Sequence, residues 1–124
     1  MDFINSQHSG WQAEQKAKIY LLSRGLCLLE QNYRCFQGEI DLIMRDQEDI
    51  VFVEVKSRSR MDYGYPAETV NKSKQKKIIK TATHFLQKKG WLYTVNSRFD
   101  VIAMLLIDGE WQLDWIKNAF SVEY

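Results

Sequence analysis

Two neighbouring segments of the chain, residues 38–44 and 50–56, are apolar runs that carry a few charges. A polar turn separates them. Side chains two residues apart share one face of a β-strand, and one face of the second segment consists of valines alone. The pattern predicts two paired strands, with the valine face turned toward the core.

The charged residues of this predicted hairpin fall on shared faces. Glu39 and Asp41 point the same way on the first strand, as do Glu54, Lys56 and Arg58 on the second. Pairing of the strands can bring Asp41 near Glu54 and Lys56. Grouped carboxylates on a half-buried surface cost free energy, and a divalent cation is the usual partner that offsets this cost. The alternative is an antiparallel sheet with one solvated, charged face.

The remaining pattern predicts two helices and three further strands. The first helix begins at a cap residue, Asn5 or Ser9, and runs to about Arg24. The second spans residues 71–89. Extended segments cover residues 26–34, 98–107 and 110–116, with Asp108-Gly109 as a hairpin turn, and residues 59–68 form a loop. The predicted order is α-β-β-β-α-β-β, an α/β fold with a mixed central sheet flanked by helices.

One acid of the first helix lies at the edge of its buried face. Ala13, Ala17 and Leu21 have the spacing of residues that pack on a sheet, and Glu14 lies beside them. Such an acid is either solvated or aimed at a group on the sheet, and helix geometry alone favours solvation.

Length and composition fit one domain spanning residues 1–124. Apolar residues make up 45% of the 124, which is enough for a core. No apolar run approaches the roughly 20 residues of a membrane span, and the N-terminus does not resemble a signal peptide. A cytoplasmic protein is expected, with no membrane partner and no small-molecule organic cofactor.

The basic residues are unevenly distributed although the net charge is only +1. Ten of the 17 Lys and Arg residues lie between Lys56 and Lys89, together with two of the 16 acids. This local positive charge suits nucleic acid, and lysines at the start of a helix oppose its dipole, which favours phosphate contact. The alternative is a solvated helix face. The candidate nucleic-acid-binding residues are Arg58, Arg60, Lys72, Lys74, Lys76 and Lys77.

These residues resemble a known signature. Asp41 followed by Glu54-Val55-Lys56 is similar to the Asp and Glu-x-Lys of the restriction-endonuclease-like PD-(D/E)XK nuclease superfamily. Within it, the chain resembles the bacterial YraN-type family of predicted endonucleases, and archaeal Holliday-junction resolvases more distantly. The matching phrases cover most of the chain: Gly10 with Glu14 and Ala17, Gly25, residues 38–43, residues 52–56 with Arg58, Lys74, and residues 98–101.

The resemblance implies a restriction-endonuclease-like core and a role for each matched residue. Asp41 and Glu54 would ligate Mg²⁺ or Mn²⁺ with the carbonyl of Val55, and Lys56 would orient or activate the attacking water. Glu14 would reach the same metal site. Glu39 shares the face of Asp41, so it either supports the site or pairs with an arginine.

The resulting hypothesis is a metal-dependent nuclease acting on nucleic acid, with DNA the expected substrate. Branched or damaged DNA in repair or recombination fits the resemblance, and cutting both strands of a duplex would favour a homodimer. Two alternatives remain. One is a non-catalytic nucleic-acid-binding module on the nuclease fold, and the other is a subunit of a DNA-processing complex.

Overall fold

A five-stranded sheet with a helix on each face forms the core of the fold. The computed structural model describes the backbone of residues 2–59 and 70–122, and the side chains of residues 10–58 and 70–122. The elements are α1 (Asp2–Ser23), β1 (Cys27–Cys35), β2 (Gly38–Asp46), β3 (Asp49–Ser59), α2 (Lys72–Lys89), β4 (Ser97–Ile107) and β5 (Glu110–Phe120). The predicted α/β class and element order are confirmed. Neither described helix is long and apolar enough to cross a membrane.

The sheet is mixed, as predicted. Its strands lie in the order β1-β2-β3-β4-β5. β1, β2 and β3 form an antiparallel meander, β3 and β4 are parallel, and β4 and β5 are an antiparallel hairpin. Two parallel neighbours need a crossover connection, and α2 lies in the one between β3 and β4. The hairpin turn at Asp108 and Gly109 is confirmed, since both residues have the positive φ that a tight hairpin turn requires.

Both faces of β3 are buried, which changes the expected position of the core. Val51 and Val53 pack in a cluster with α1, whereas Ile50 and Phe52 pack in a second cluster with α2. The alternative of one solvated sheet face is therefore wrong for β3, because helices cover both sides of a strand with a parallel neighbour. The charged residues that follow Phe52 continue a buried face.

Some element boundaries differ from the sequence prediction. α1 begins at Asp2, so Asn5 and Ser9 lie inside it and do not cap it. An acid at the first position is favoured by the helix dipole, and Asn or Ser within a helix carries only a modest cost. α2 agrees closely with the prediction, because the side chain of Asn71 caps it at the N-terminus. The predicted loop, with Arg60, lies outside the described residues except for Ser59, which ends β3.

A buried ionic cluster joins β4 to β5 and to the β2–β3 turn. Asp100 is fully buried and accepts hydrogen bonds from Arg98 Nε (3.1 Å), Trp115 Nε1 (2.9 Å) and the Asn118 amide (2.9 Å). Arg98 also donates to Asp46 at 3.0 Å. Arg98 and Asp100 are thus a structural ion pair and do not line the carboxylate cavity described below.

Candidate active site

Asp41 and Glu54 lie opposite each other where the pairing of β2 and β3 ends. The last ladder pair is Leu42 with Val53, and the next residue of each strand is one of the two acids. Glu54 is buried, with 5% of its surface exposed. Both carboxylates line a cavity of about 240 Å³ between the sheet and α2. The structure thus places together the two acids that strand alternation had paired.

The backbone around Asp41 is locally distorted. Ile40 packs with the α2 cluster and Leu42 with the α1 cluster, although residues two apart in a regular strand share a face. Beyond the last ladder pair, the amide of Val55 donates to Asp41 Oδ2 at 2.8 Å. The side chain of Asp41 therefore accepts a main-chain hydrogen bond of β3 and holds the two strands together at the cavity.

The environment of Asp41 disfavours its charged form. Burial, followed by the neighbouring Glu54 carboxylate, raises the pKa of Asp41 from 3.8 to about 7. The Val55 amide and the Lys74 ammonium act in the opposite direction but do not cancel the shift. A carboxyl group in a cleft whose pKa is raised this strongly by burial and a neighbouring charge is a candidate functional residue.

Lys74 supplies the ammonium group that meets the carboxylates. Its Nζ lies 3.2 Å from Glu54 Oε2, and its side chain reaches the cavity from the first turn of α2. The sequence had assigned Lys74 to nucleic-acid binding and had placed Lys56 beside the acids. The helix supplies this contact because its first turn, with Lys74, borders the cavity that Glu54 also lines.

Glu14 reaches toward the sheet from α1. Its carboxylate accepts a hydrogen bond from Asn32 Nδ2 of β1 at 3.0 Å. Burial is the largest cause that raises the pKa of Glu14, and the charges of Asp41 and Glu39 raise it further. Glu14 is therefore half-buried and electrostatically coupled to Asp41, and it is not the fully solvated acid that helix geometry alone favoured.

Glu39 adopts the second of its two predicted roles. It pairs with Arg34, the residue opposite it on β1, at 3.3 Å. The pair is largely exposed, and Glu39 also lines the cavity beside Asp41. It therefore contributes negative charge at the rim.

The remaining predicted residues surround this centre. Lys56 and Arg58 are partly buried and follow Glu54 at alternate positions of β3, but neither lines the cavity. Of the α2 lysines, Lys77 lines the cavity next to Lys74, and Lys72 and Lys76 are exposed.

The donor set fits a hard divalent cation in part. Asp41 and Glu54 offer carboxylate oxygens across one cavity, which are ligands that Mg²⁺ and Mn²⁺ prefer, and Mg²⁺ needs only one or two protein carboxylates. Among the described residues, no three Asp, Glu, His or Cys side chains form a group that could hold a metal. The cavity thus offers two carboxylates as candidate direct ligands, and Glu14 does not line it.

Two contacts of the site were not predicted from the sequence. The role of Lys74 at Glu54 depends on how α2 docks, which strand periodicity does not report. Asn32 has a φ of 54°, and its donation to Glu14 depends on the docking of α1. Asn is enriched in this left-handed region, which is a weak signal for a special backbone position.

Comparison with known proteins identifies the family. Residues 13–104 match the model of the uncharacterised protein family UPF0102. The chain is 45% identical to a UPF0102 protein of Coxiella burnetii over 98% of its length and 99% of that protein's. It is 44% identical to one from Clostridioides difficile, over 94% of this chain and 100% of the relative. A UPF0102 protein of Syntrophus aciditrophicus is 47% identical, with 94% and 91% covered. The matched segment includes the whole carboxylate cavity, and the chain belongs to the UPF0102 family.

Proposed function

We propose that this protein is a metal-dependent nuclease that hydrolyses phosphodiester bonds of DNA, on a restriction-endonuclease-like fold. One observation carries the proposal. The carboxylates of Asp41 and Glu54 share a cavity that is rimmed by Lys74 and Lys77. The acids can hold a cation and the ammonium groups can contact a phosphate, and this reaction needs both in one place. The similarity to YraN-type predicted endonucleases supports the same assignment.

In this proposal Asp41 and Glu54 would hold Mg²⁺ or Mn²⁺, and the resemblance adds the carbonyl of Val55 as a further ligand. A bound divalent cation would activate water and neutralise charge on the phosphate. Asp41 is held in place by the Val55 amide at 2.8 Å, so its carboxylate is oriented before any ligand arrives. Glu14, oriented by Asn32, adds negative charge from the α1 side.

The lysines of the site have separate roles in this proposal. Lys74 neutralises Glu54 at 3.2 Å in the free protein, and it would be able to contact a phosphate oxygen if a bound cation neutralised Glu54 instead. Lys77, at the rim of the cavity, would contact the same nucleic acid strand. Lys56 does not line the cavity in the free protein, but it lies two residues after Glu54 on β3 and would orient the attacking water, as the resemblance implies.

A second candidate function is a nucleic-acid-binding module without catalysis. The Lys74–Glu54 ion pair favours it, because an ammonium already offsets the buried charge that a cation would otherwise neutralise. The described residues also contain no three-ligand metal group. This candidate predicts salt-sensitive binding with no cleavage in either metal.

The test is cleavage and metal binding by the wild type, Asp41→Asn and Glu54→Gln. Linear duplex, single-stranded and four-way-junction DNA are incubated with Mg²⁺ or Mn²⁺, and Mn²⁺ binding is measured by calorimetry. We expect both variants to fold and to lose about 100-fold or more of the cleavage rate, since each removes one direct ligand. Glu30→Gln, an exposed acid of β1, is the matched control and should cleave normally.

The outcomes separate the two candidates. Cleavage by Asp41→Asn at the wild-type rate would overturn the proposed site. DNA binding by the wild type without cleavage in either metal would favour the non-catalytic module. Sedimentation of the wild type with and without DNA tests the expected homodimer, which would place two sites on opposite strands.

A further inference from the structure

Another cavity lies beside the carboxylate cavity, on the far side of the β1–β2 turn. Its volume is about 500 Å³. Its polar and aromatic lining includes Phe36 and Gln37 from the turn, and Lys80, His84 and Gln87 from α2. No role has been assigned above to any of these five residues.

The two cavities lie next to each other along the same turn and the same helix. Gly38 and Lys77 line the carboxylate cavity, whereas their neighbours Gln37 and Lys80 line the other. Lys77 and Lys80 are three residues apart, so they lie on the same side of α2. A strand that leaves the carboxylates along this helix therefore passes the second cavity.

Phe36 is the most distinctive residue of this cavity. Its side chain is 89% exposed at the turn, and its ring lies perpendicular to that of His84 with 6.5 Å between centroids. A single exposed apolar residue is common on protein surfaces. Here the ring borders a cavity that also presents an ammonium, an imidazole and amide groups, and this is the combination that a nucleobase and its phosphate need.

A buried tyrosine, Tyr33, fixes the position of the His84 ring. The hydroxyl of Tyr33 lies 2.6 Å from His84 Nδ1, and the ring of Tyr33 packs edge-on against Phe85 at 5.2 Å. Tyr33 itself is 8% exposed. Because Nδ1 is engaged, Nε2 is the ring nitrogen that a ligand in the cavity would use. The imidazole of His84 therefore lines the cavity in a fixed orientation.

We propose that this cavity holds an unpaired base of the nucleic acid strand whose phosphate lies at Asp41 and Glu54. The base stacks on Phe36, and Lys80 contacts a phosphate beside it. This inference rests on the proposed function and specifies its substrate as DNA with a single-stranded portion next to the cleaved bond. Stacking on an aromatic ring accepts any base, so recognition is by strand structure and not by sequence.

The distance along α2 sets the number of nucleotides between the two cavities. Lys74 and His84 are ten positions apart, or roughly 15 Å along the axis at about 1.5 Å per residue. A stacked strand advances about 3.4 Å per nucleotide, so the stacked base lies about four nucleotides from the phosphate, and fewer in an extended strand.

The experiment compares Phe36→Ala, Phe36→Trp and Tyr93→Ala with the wild type in EDTA, where no cleavage occurs. Tyr93 is a matched control, since it is 93% exposed and lines neither of the two cavities. Fluorescence anisotropy measures the Kd for a short mixed-sequence single strand, its abasic analogue and a duplex of equal length. We expect Phe36→Ala to weaken single-strand binding about tenfold and duplex binding less than about twofold. Phe36→Trp and Tyr93→Ala should bind as the wild type does.

The abasic strand provides the decisive comparison. It should bind the wild type as weakly as the intact strand binds Phe36→Ala, and the variant should not distinguish the two strands. Equal single-strand affinity of Phe36→Ala and wild type, or an equal loss for strand and duplex, would overturn the inference. Cleavage that depends on Asp41 would then leave the proposed nuclease intact. Base-dependent binding without any cleavage would overturn the nuclease and keep the stacking site.

Discussion

Asp41 experiences two opposing influences within a few ångströms. Burial and Glu54 raise its pKa to about 7, whereas the Val55 amide and Lys74 favour its ionised form. A protein with no use for this carboxylate would be more stable with a neutral residue in its place. The pairing of Asp41 and Glu54 therefore carries a cost in the free protein that a cation would relieve.

The first prediction concerns pH. Because the folded pKa of Asp41 is raised, the folded protein keeps a proton that the unfolded chain has lost between about pH 4 and pH 7. Asp41 thus contributes most stability below about pH 4, and that contribution is lost as the pH rises through about 7. A tenfold change in proton affinity corresponds to about 1.4 kcal/mol, so the loss of stability is on the order of 2–4 kcal/mol. Urea unfolding at several pH values in EDTA measures it.

Asp41→Asn is the control for this prediction, since an amide can still accept from the Val55 amide. The difference in free energy of unfolding between variant and wild type should grow in favour of the variant from pH 4 to pH 8. Added Mg²⁺ should stabilise only the wild type, by about 2.7 kcal/mol at 100 times its Kd. A difference that is independent of pH would contradict the raised pKa.

The second prediction concerns Asp100, which is fully buried and accepts from three donors. Asp100→Ala should lower the free energy of unfolding by about 3–5 kcal/mol, because it leaves Arg98, Trp115 and a main-chain amide without this partner. Glu39→Ala, which breaks an exposed ion pair, should cost less than about 1 kcal/mol. Chemical denaturation of both variants tests the contrast, and equal effects would contradict it.

At the scale of elements, the contact between the β1–β2 turn and α2 positions both cavities. A Cβ at Gly38 would lie 2.9 Å from Thr81 Oγ1 and 3.7 Å from the carbonyl of Lys77. Thr81 is buried, and its hydroxyl donates to that carbonyl at 2.8 Å. Only glycine allows the turn to lie this close to the helix, and Phe36, Gln37 and Gly38 take their places over α2 from this contact.

The third prediction tests this contact. Gly38→Ala should destabilise the fold by about 1–3 kcal/mol, because the added methyl group forces the turn away from α2. Thr81→Ala removes the nearest atom, so the double variant should recover part of the loss. A double-mutant cycle in urea should give a favourable coupling of about 0.5–3 kcal/mol. Additive effects would mean that the turn relaxes without meeting Thr81.

The strand pattern predicted the centre of the site because it depends on local rules. Alternation and a short hairpin bring Asp41 opposite Glu54 whatever the helices do. The same rules predicted the Asp108 turn and the element order. They also placed Glu39 and Asp41 on one side, and both residues line the cavity.

The contacts made by helices could not be predicted in this way. Lys74 meets Glu54, and Glu14 meets Asn32, only because α2 and α1 dock at particular heights over the sheet. Lys residues at positions 72, 74, 76 and 77 are equivalent by composition. The predicted start of α1 was also wrong, because Asn5 and Ser9, whose residue types often cap helices, lie within the helix.

For the whole molecule, the important feature is the separation of charge. The first half of α2 carries five lysines, whereas the sheet below it presents Glu39, Asp41 and Glu54 to the cavity. In the proposed function, this positive surface would attract a polyanion over a distance, and the acids would act once a cation and a nucleic acid strand are bound. The arrangement would then guide a phosphate backbone toward the carboxylates without requiring a high net charge.

The last prediction follows from this separation. The affinity for duplex DNA should fall with salt, and each phosphate contact should contribute about 0.9 to the slope of log K against log salt concentration. Lys76→Gln with Lys77→Gln should lower the slope by about 2. Lys16→Gln with Lys117→Gln removes the same charge from exposed positions of α1 and β5, and it should leave the slope unchanged. Anisotropy titrations in EDTA between about 50 and 200 mM NaCl measure both slopes. Equal decreases in the two double variants would mean that DNA responds to net charge alone and that the start of α2 is not its binding surface.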